Sequence, residues 1–92
     1  MTLKTKNIER SLLKKGFSKD YSDHIRFVFM YDGKDTEFST KISHSHSEIG
    51  DNLISKMSKQ LFMTKDFFKG FVDCEKSEDN YIAMLQDKGE IL

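Results

Sequence analysis

The chain has 92 residues and a formal net charge of zero, which corresponds to one small domain. Hydrophobic residues make up 37% and charged residues 33% of it, a balance typical of a polar globular protein rather than a disordered chain. No apolar run approaches the ~20 residues of a membrane-spanning helix, and the first residues lack the apolar segment of a signal peptide. We therefore expect a single cytoplasmic domain over residues 1–92, with no membrane segment.

The first predicted element is a helix that begins at Thr5, whose hydroxyl is suited to an N-cap, and ends near Lys15. Gly16 follows as a residue that readily adopts the left-handed conformation that ends many helices. The apolar stripe of this helix consists of Ile8, Leu12 and Leu13. Its outer side carries a basic row, which consists of Lys6, Arg10 and Lys14.

A strand over residues 17–21 and a turn at Ser22-Asp23 precede a long hairpin over residues 24–42. Asp32-Gly33 predicts a type I′ turn in this hairpin, because both central residues of that turn need a positive φ. Alternation predicts a core face that carries Ile25, Phe27, Phe29, Tyr31, Thr36, Phe38, Thr40 and Ile42. The opposite face is polar and carries His24, Arg26 and Lys41.

Three further helices are predicted after a polar loop over residues 43–50. The second helix begins near Gly50 or Asp51 and ends at about Leu61, with Leu53, Ile54, Met57 and Leu61 inside and Lys56 and Lys59 outside. Thr64 caps a third helix over residues 65–72, and Ser77 caps a fourth over residues 78–87, whose Tyr81, Ile82 and Leu85 face inward. This order predicts an α+β sandwich, α-β-β-β-α with extra C-terminal helices, in which the helices cover one face of a three-stranded antiparallel sheet.

Short motifs spread over residues 5–70 support a more specific expectation. They are Leu12-Leu13-Lys14-Lys15-Gly16-Phe17, Ser22-Asp23-His24, Asp32-Gly33, Ile42-Ser43-His44, Gly50-Asp51-Asn52-Leu53-Ile54 with Met57, and Leu61-Phe62-Met63-Thr64 with Phe67. In this order they resemble the HicA family of toxins from toxin–antitoxin pairs. The resemblance implies a fold like that of double-stranded-RNA-binding domains, endoribonuclease activity on mRNA, and a HicB-like antitoxin protein as partner. Residues 73–92 would then be a C-terminal helical extension.

The resemblance also implies an active-site histidine near the start of the hairpin. The family position falls on Asp23 when Ser22 is aligned with the family serine, and on His24 when the alignment is shifted by one residue. RNA cleavage needs a group that takes a proton from the 2′-hydroxyl, and histidine exchanges protons near neutral pH. We therefore expect His24 to act as general acid or base, while Arg26 and Lys41 hold phosphate. Asp23 would either orient the imidazole of His24 or face water.

The remaining candidate residues are positively charged or are histidines. His44 matches a family histidine, and with His46 it forms a His-x-His pair. Because two ligands make a weak metal site, neither a metal ion nor another cofactor is predicted. The predicted RNA-binding residues are Lys6, Arg10, Lys14, Arg26, Lys41, His44, Lys56 and Lys59. Such residues would contact the phosphates and 2′-hydroxyls of RNA.

Two other functions fit the same residues. Charge runs on helices are often only solvated surfaces, and a histidine at the start of a strand often has no function. The chain would then be a non-catalytic RNA-binding or protein-interaction module on the same fold. Residues 73–92 carry six acidic side chains against two basic ones, so an adaptor that binds a partner through this acidic segment is a third possibility.

Overall fold

A computed structural model of the chain describes residues 2–21, 24–43 and 47–91. Its elements are β1 (Thr2–Lys4), α1 (Thr5–Lys14), β2 (Phe17–Tyr21), β3 (Ile25–Tyr31), β4 (Lys34–Ile42), β5 (Glu48–Gly50), α2 (Asp51–Gln60), α3 (Lys65–Val72) and α4 (Glu78–Asp87). The predicted α+β class is confirmed. Within the described ranges, no helix is long and apolar enough to cross a membrane.

The central sheet is antiparallel with the strand order β2-β3-β4, as predicted. Asp32 and Gly33 join β3 to β4 with φ of 55° and 75°, the positive values that a type I′ turn requires. At the other end of this hairpin Ile25 lies opposite Ile42, so the start of β3 and the end of β4 are neighbours. We call this the open end of the hairpin.

One face of the sheet and all four helices contribute to a shared hydrophobic core. Its buried side chains include Phe17, Phe27, Phe29, Phe38 and Ile42 from the strands, and Ile8, Leu12, Ile54, Met57, Phe68, Phe71, Val72, Tyr81 and Leu85 from the helices. Full burial of a large apolar side chain contributes about 1.5–3 kcal/mol of transfer free energy. Because Tyr81 and Leu85 are fully buried, α4 is part of this core.

The helix boundaries follow local capping signals. The Thr64 hydroxyl accepts a hydrogen bond from the backbone N–H of Phe67, which satisfies one of the free donors at the start of α3. Ser77 and Asn80 form a reciprocal capping box at the start of α4. The predicted third and fourth helices are therefore confirmed together with their caps.

Two predictions around the N-terminal segment are wrong. Thr5 is the first helical residue and not the N-cap, and its hydroxyl donates to the Ser47 carbonyl at 3.0 Å. Residues 48–50, predicted as loop, form β5, which pairs antiparallel with β1. Strands of three residues are too short to show an alternating pattern, and their hydrogen bonds join segments that are distant in sequence. The pairing buries Leu3 against Ile49.

Leu13 is a further correction, because it was expected on the inner stripe of the first helix. Leu12 is fully buried, whereas the Leu13 residue is 44% exposed. Successive residues of a helix are rotated by about 100°, so one of two adjacent leucines is turned away from the core. The predicted turn at Ser22-Asp23 and the loop positions 44–46 lie outside the described residues.

Candidate nucleic-acid interface

A small cleft of about 150 Å³ lies between the open end of the hairpin and one face of α2. His24 precedes β3 at this end, and Lys41 is near the end of β4. The lining consists of His24, Lys41, Ser43, Leu53, Lys56, Met57 and Gln60. We call it the His24 cleft, and it brings together three predicted functional residues from three segments of the chain.

The helical wall of the His24 cleft follows from the spacing of its residues. Leu53, Lys56, Met57 and Gln60 are separated by three, four and seven positions, so they share one face of α2. Leu53 and Met57 continue into the hydrophobic core, whereas Lys56 is exposed. The cleft therefore has an apolar floor and charged or polar edges.

The strand wall carries two positive charges side by side. Arg26 lies directly opposite Lys41 in the β3–β4 ladder, and both side chains are exposed on the polar face. Like charges at opposed positions destabilise a sheet, an effect that Asp20, opposite Arg26 in β2, reduces in part. An anion bound beside Arg26 and Lys41 would remove the remaining repulsion.

A second depression of about 250 Å³ adjoins the His24 cleft. It is lined by Arg26, Ser39, Thr40, Lys41 and Gln60, so Lys41 and Gln60 border both spaces. We call it the Arg26 depression. Its lining is polar throughout, in contrast to the apolar floor of the His24 cleft.

The boundary between the two spaces is fixed by a hydrogen bond. The hydroxyl of Thr40, a residue only 3% exposed, donates to the side-chain oxygen of Gln60 at 2.8 Å. This bond satisfies a polar group on the core face of β4 and ties the last turn of α2 to the strand. Because the Gln60 oxygen accepts from Thr40, its amide NH₂ group is the end that can donate to a ligand.

The electrostatic character of both spaces is positive. Among the residues that the structure describes, neither is lined by an aspartate or a glutamate. Among the described residues the salt bridges are Lys19–Glu9 and Lys65–Asp51, and both lie outside these spaces. Arg26, Lys41 and Lys56 therefore remain available to an anion. Over residues 2–21, 24–43 and 47–91, no group of three His, Cys, Asp or Glu side chains is arranged to hold a metal ion.

The other predicted residues lie elsewhere. Lys59 borders a separate groove near the Lys65–Asp51 pair, so it does not line the cleft with Lys56. The basic row on α1 is exposed and borders neither space; it consists of Lys6, Arg10 and Lys14. Asp23, His44 and His46 lie outside the described residues.

Thr40 and Gln60 are the lining residues that the sequence reasoning missed as functional candidates. Thr40 was assigned to the core face, and a hydroxyl at a buried position needs a hydrogen-bond partner. That requirement is a signal in the sequence, but it does not identify Gln60, which comes close only when α2 packs on β4. Ser39 and Ser43 carry no comparable signal.

Comparison of the chain with protein-family models, with curated proteins and with solved structures gave no significant match. The function is therefore argued from the cleft itself.

Proposed function

We propose that the chain is a small RNA-acting toxin of the HicA-like class, a cytoplasmic endoribonuclease that an antitoxin protein inhibits by covering the His24 cleft. The observation that supports this proposal is the arrangement of His24, Lys41 and Lys56 around one cleft, with Arg26 beside it. A proton-exchanging side chain next to cations is what cleavage of a phosphodiester needs. The order α1, β2, β3, β4 and α2, with the short β5 between β4 and α2, supports the proposal of a double-stranded-RNA-binding-domain-like arrangement.

The chemistry assigns one role to each side chain. The 2′-hydroxyl of RNA attacks the adjacent phosphorus, so a 2′-O–P bond forms while the bond from phosphorus to the 5′-oxygen breaks. His24 accepts the proton of the 2′-hydroxyl and returns a proton to the leaving 5′-oxygen. Lys41 and Lys56 stabilise the charge that develops on the phosphate, and Arg26 holds a neighbouring phosphate. The products are a 2′,3′-cyclic phosphate and a 5′-hydroxyl.

The basic row on α1 extends this proposal beyond the cleft. Lys6, Arg10 and Lys14 are exposed, so they can contact phosphates of a longer RNA without affecting the core. In this assignment they contribute affinity but no catalysis. Their loss should weaken RNA binding in a salt-dependent way and leave the cleavage rate of bound RNA unchanged.

The proposal is tested first by induced expression of the wild type and of His24→Ala. The wild type should stop growth and deplete cellular mRNA, and His24→Ala should do neither. Because His24 is exposed, the variant should remain within about 0.5 kcal/mol of the wild-type stability. Growth arrest by a folded His24→Ala protein would contradict the assignment of His24.

A matched pair of variants on α2 tests the role of the cleft. Lys56→Ala removes a charge from the cleft, whereas Lys59→Ala removes the same charge from the same helix outside it. Cleavage of a defined RNA by the purified protein should be reduced about tenfold or more by the first change, the effect of losing a charged contact of roughly 1.5–3 kcal/mol. Equal effects of the two variants would show that the cleft is not the site of cleavage.

One observation favours the second candidate, a non-catalytic RNA-binding module. Within the described residues His24 has no hydrogen-bond partner that would orient its ring, and general acids and bases usually have one. This candidate predicts that the purified wild type binds RNA through Lys41 and Lys56 and leaves it intact. Recovery of 2′,3′-cyclic phosphate ends would exclude it.

A further inference from the structure

The His24 cleft and the Arg26 depression differ in a way that suits two parts of one nucleotide. The depression has a polar lining that includes Arg26 and Lys41, which fits a phosphate group. The cleft has Leu53 and Met57 in its floor, which fits the apolar face of a base. The shared border of Lys41 and Gln60 places the two spaces next to each other, as a phosphate and its base are in RNA.

The size of the cleft limits what it can hold. Pockets for drug-sized ligands measure about 300–1,000 Å³, and a cavity of about 150 Å³ accepts one six-membered aromatic ring. The His24 cleft measures about 150 Å³. It therefore has room for a single pyrimidine but not for a base pair. A nucleotide whose base enters the cleft must be unpaired.

Gln60 determines which hydrogen bonds the base can make. Its oxygen accepts from the Thr40 hydroxyl at 2.8 Å, so the NH₂ group is the end of the amide that is left to face a base in the cleft. Uracil has a carbonyl on both sides of its N3, whereas cytosine has a carbonyl on one side and an amino group on the other. A uracil carbonyl that faces the Gln60 NH₂ accepts a hydrogen bond from it. A cytosine amino group in the same place would set one donor against another.

We propose that the His24 cleft binds one unpaired pyrimidine of single-stranded RNA and prefers uracil to cytosine. Gln60 is the specificity-determining residue and Thr40 is the positioning residue that fixes the direction of its amide. This inference rests on the proposed function, because it places the base inside the cleft whose edges carry His24, Lys41 and Lys56, next to the phosphate that Arg26 holds.

The test measures the dissociation constants of the wild type for hexauridylate and hexacytidylate, which are both single-stranded. Hexauridylate should bind about tenfold more tightly, at the lower end of the discrimination that a hydrogen-bonding side chain provides. A duplex of the same length should bind without base preference, because paired bases cannot enter the cleft. Equal dissociation constants for the two single strands would overturn the proposed preference.

Two variants separate the roles of Gln60 and Thr40. Gln60→Glu exchanges the N–H donors for a carboxylate, which accepts from the cytosine amino group, so the ratio of the two dissociation constants should shift toward cytosine. Thr40→Val keeps the shape of the side chain and removes the hydroxyl that fixes the amide. In this variant the ratio should fall close to one while hexauridylate remains bound.

The measurements also distinguish this inference from the proposed function. If RNA binds, and if Lys41→Ala and Lys56→Ala weaken it, a wild-type ratio of one overturns only the base preference. If neither oligonucleotide binds, both the function and the inference fail. A thermal melt of Thr40→Val shows whether this variant still folds. If it does not, the Gln60→Glu variant tests the base preference by itself, because the Gln60 side chain is only partly buried.

Discussion

Tyr81 joins α4 to the sheet and to the helices that precede it in the chain. Its ring lies 4.8 Å from that of Phe29 and 5.5 Å from that of Phe71, measured between centroids. Its hydroxyl donates to the Leu61 carbonyl at 2.8 Å, and the residue is fully buried. Burial raises the pKa of Tyr81, because the phenolate would lose its hydration.

Replacement of Tyr81 by phenylalanine should therefore have two effects. At neutral pH the loss of the bond to Leu61 should lower the free energy of unfolding by about 1–2 kcal/mol, since the carbonyl is left without its donor. Because the pKa of Tyr81 is raised in the folded protein, the unfolded chain loses the phenol proton of Tyr81 at a lower pH than the folded chain. The contribution of Tyr81 to the free energy of unfolding is therefore complete below the usual pKa of 10.0 and decreases above it. Urea unfolding from about pH 9 to about pH 11 should show a steeper loss for the wild type than for Tyr81→Phe.

An exposed tyrosine provides the control for this experiment. Tyr21 is 65% exposed, and Tyr21→Phe should leave the alkaline loss of stability as steep as in the wild type. Parallel pH profiles of the wild type and Tyr81→Phe would show that Tyr81 does not stay protonated in the folded protein.

At the scale of elements, two glycines illustrate how turns depend on backbone conformation and on space. Gly16 ends α1 with φ of 94°, and Gly33 lies in the hairpin turn with φ of 75°. A methyl group on Gly33 would meet no atom within 4 Å, whereas on Gly16 it would come within 3.2 Å of the Phe29 ring and also displace the Glu78 carboxylate. The two positions share the conformational constraint and differ in packing.

Alanine substitution at these two glycines should separate the two effects. Gly33→Ala should cost about 1–2 kcal/mol, the penalty for a side chain in the left-handed region. Gly16→Ala should cost more, because it adds a contact with Phe29 in a packed core. Chemical denaturation of both variants gives the comparison, and equal losses would mean that the Phe29 ring moves aside freely.

The elements that were predicted correctly have their signals in adjacent residues. Asp32-Gly33 identified the hairpin turn, and Thr64 and Ser77 identified the starts of α3 and α4. β1 and β5 were missed because each is stable only through the other. The same difference applies to the site: strand alternation placed Lys41 on the polar face, but the bond between Thr40 and Gln60 depends on how α2 packs on the sheet.

For the molecule as a whole, a net charge of zero conceals a separation of charges. The described lining of the His24 cleft has no acidic residue, and α4 brings Glu78 to the opposite end of the hairpin. There Glu78 and Ile82 border an open groove with residues of the hairpin turn, which include Tyr31, Asp32 and Lys34. The seven residues of β3 separate the two ends by roughly 20 Å, at about 3.3 Å per residue.

This separation predicts that the first turn of α4 does not weaken RNA binding at the cleft. Interactions between exposed charges are largely screened beyond about 10 Å at 0.1 M salt, which is less than the length of β3. A variant with Glu78→Gln and Asp79→Asn should therefore bind single-stranded RNA with the affinity and salt dependence of the wild type. Filter binding or fluorescence anisotropy between about 0.05 and 0.2 M salt measures both quantities.

The control for the α4 variant removes two positive charges at the His24 cleft instead of two negative charges on α4. A variant with Lys41→Ala and Lys56→Ala should reduce the slope of log K against log salt by about 0.7 for each phosphate contact that is lost from a single strand. Since α4 carries the buried Tyr81 and Leu85, charge replacement is a better test than truncation after Asp73, which would remove part of the core and promote aggregation. Tighter RNA binding by the Glu78→Gln, Asp79→Asn variant would show instead that the acidic segment competes with RNA for the basic residues.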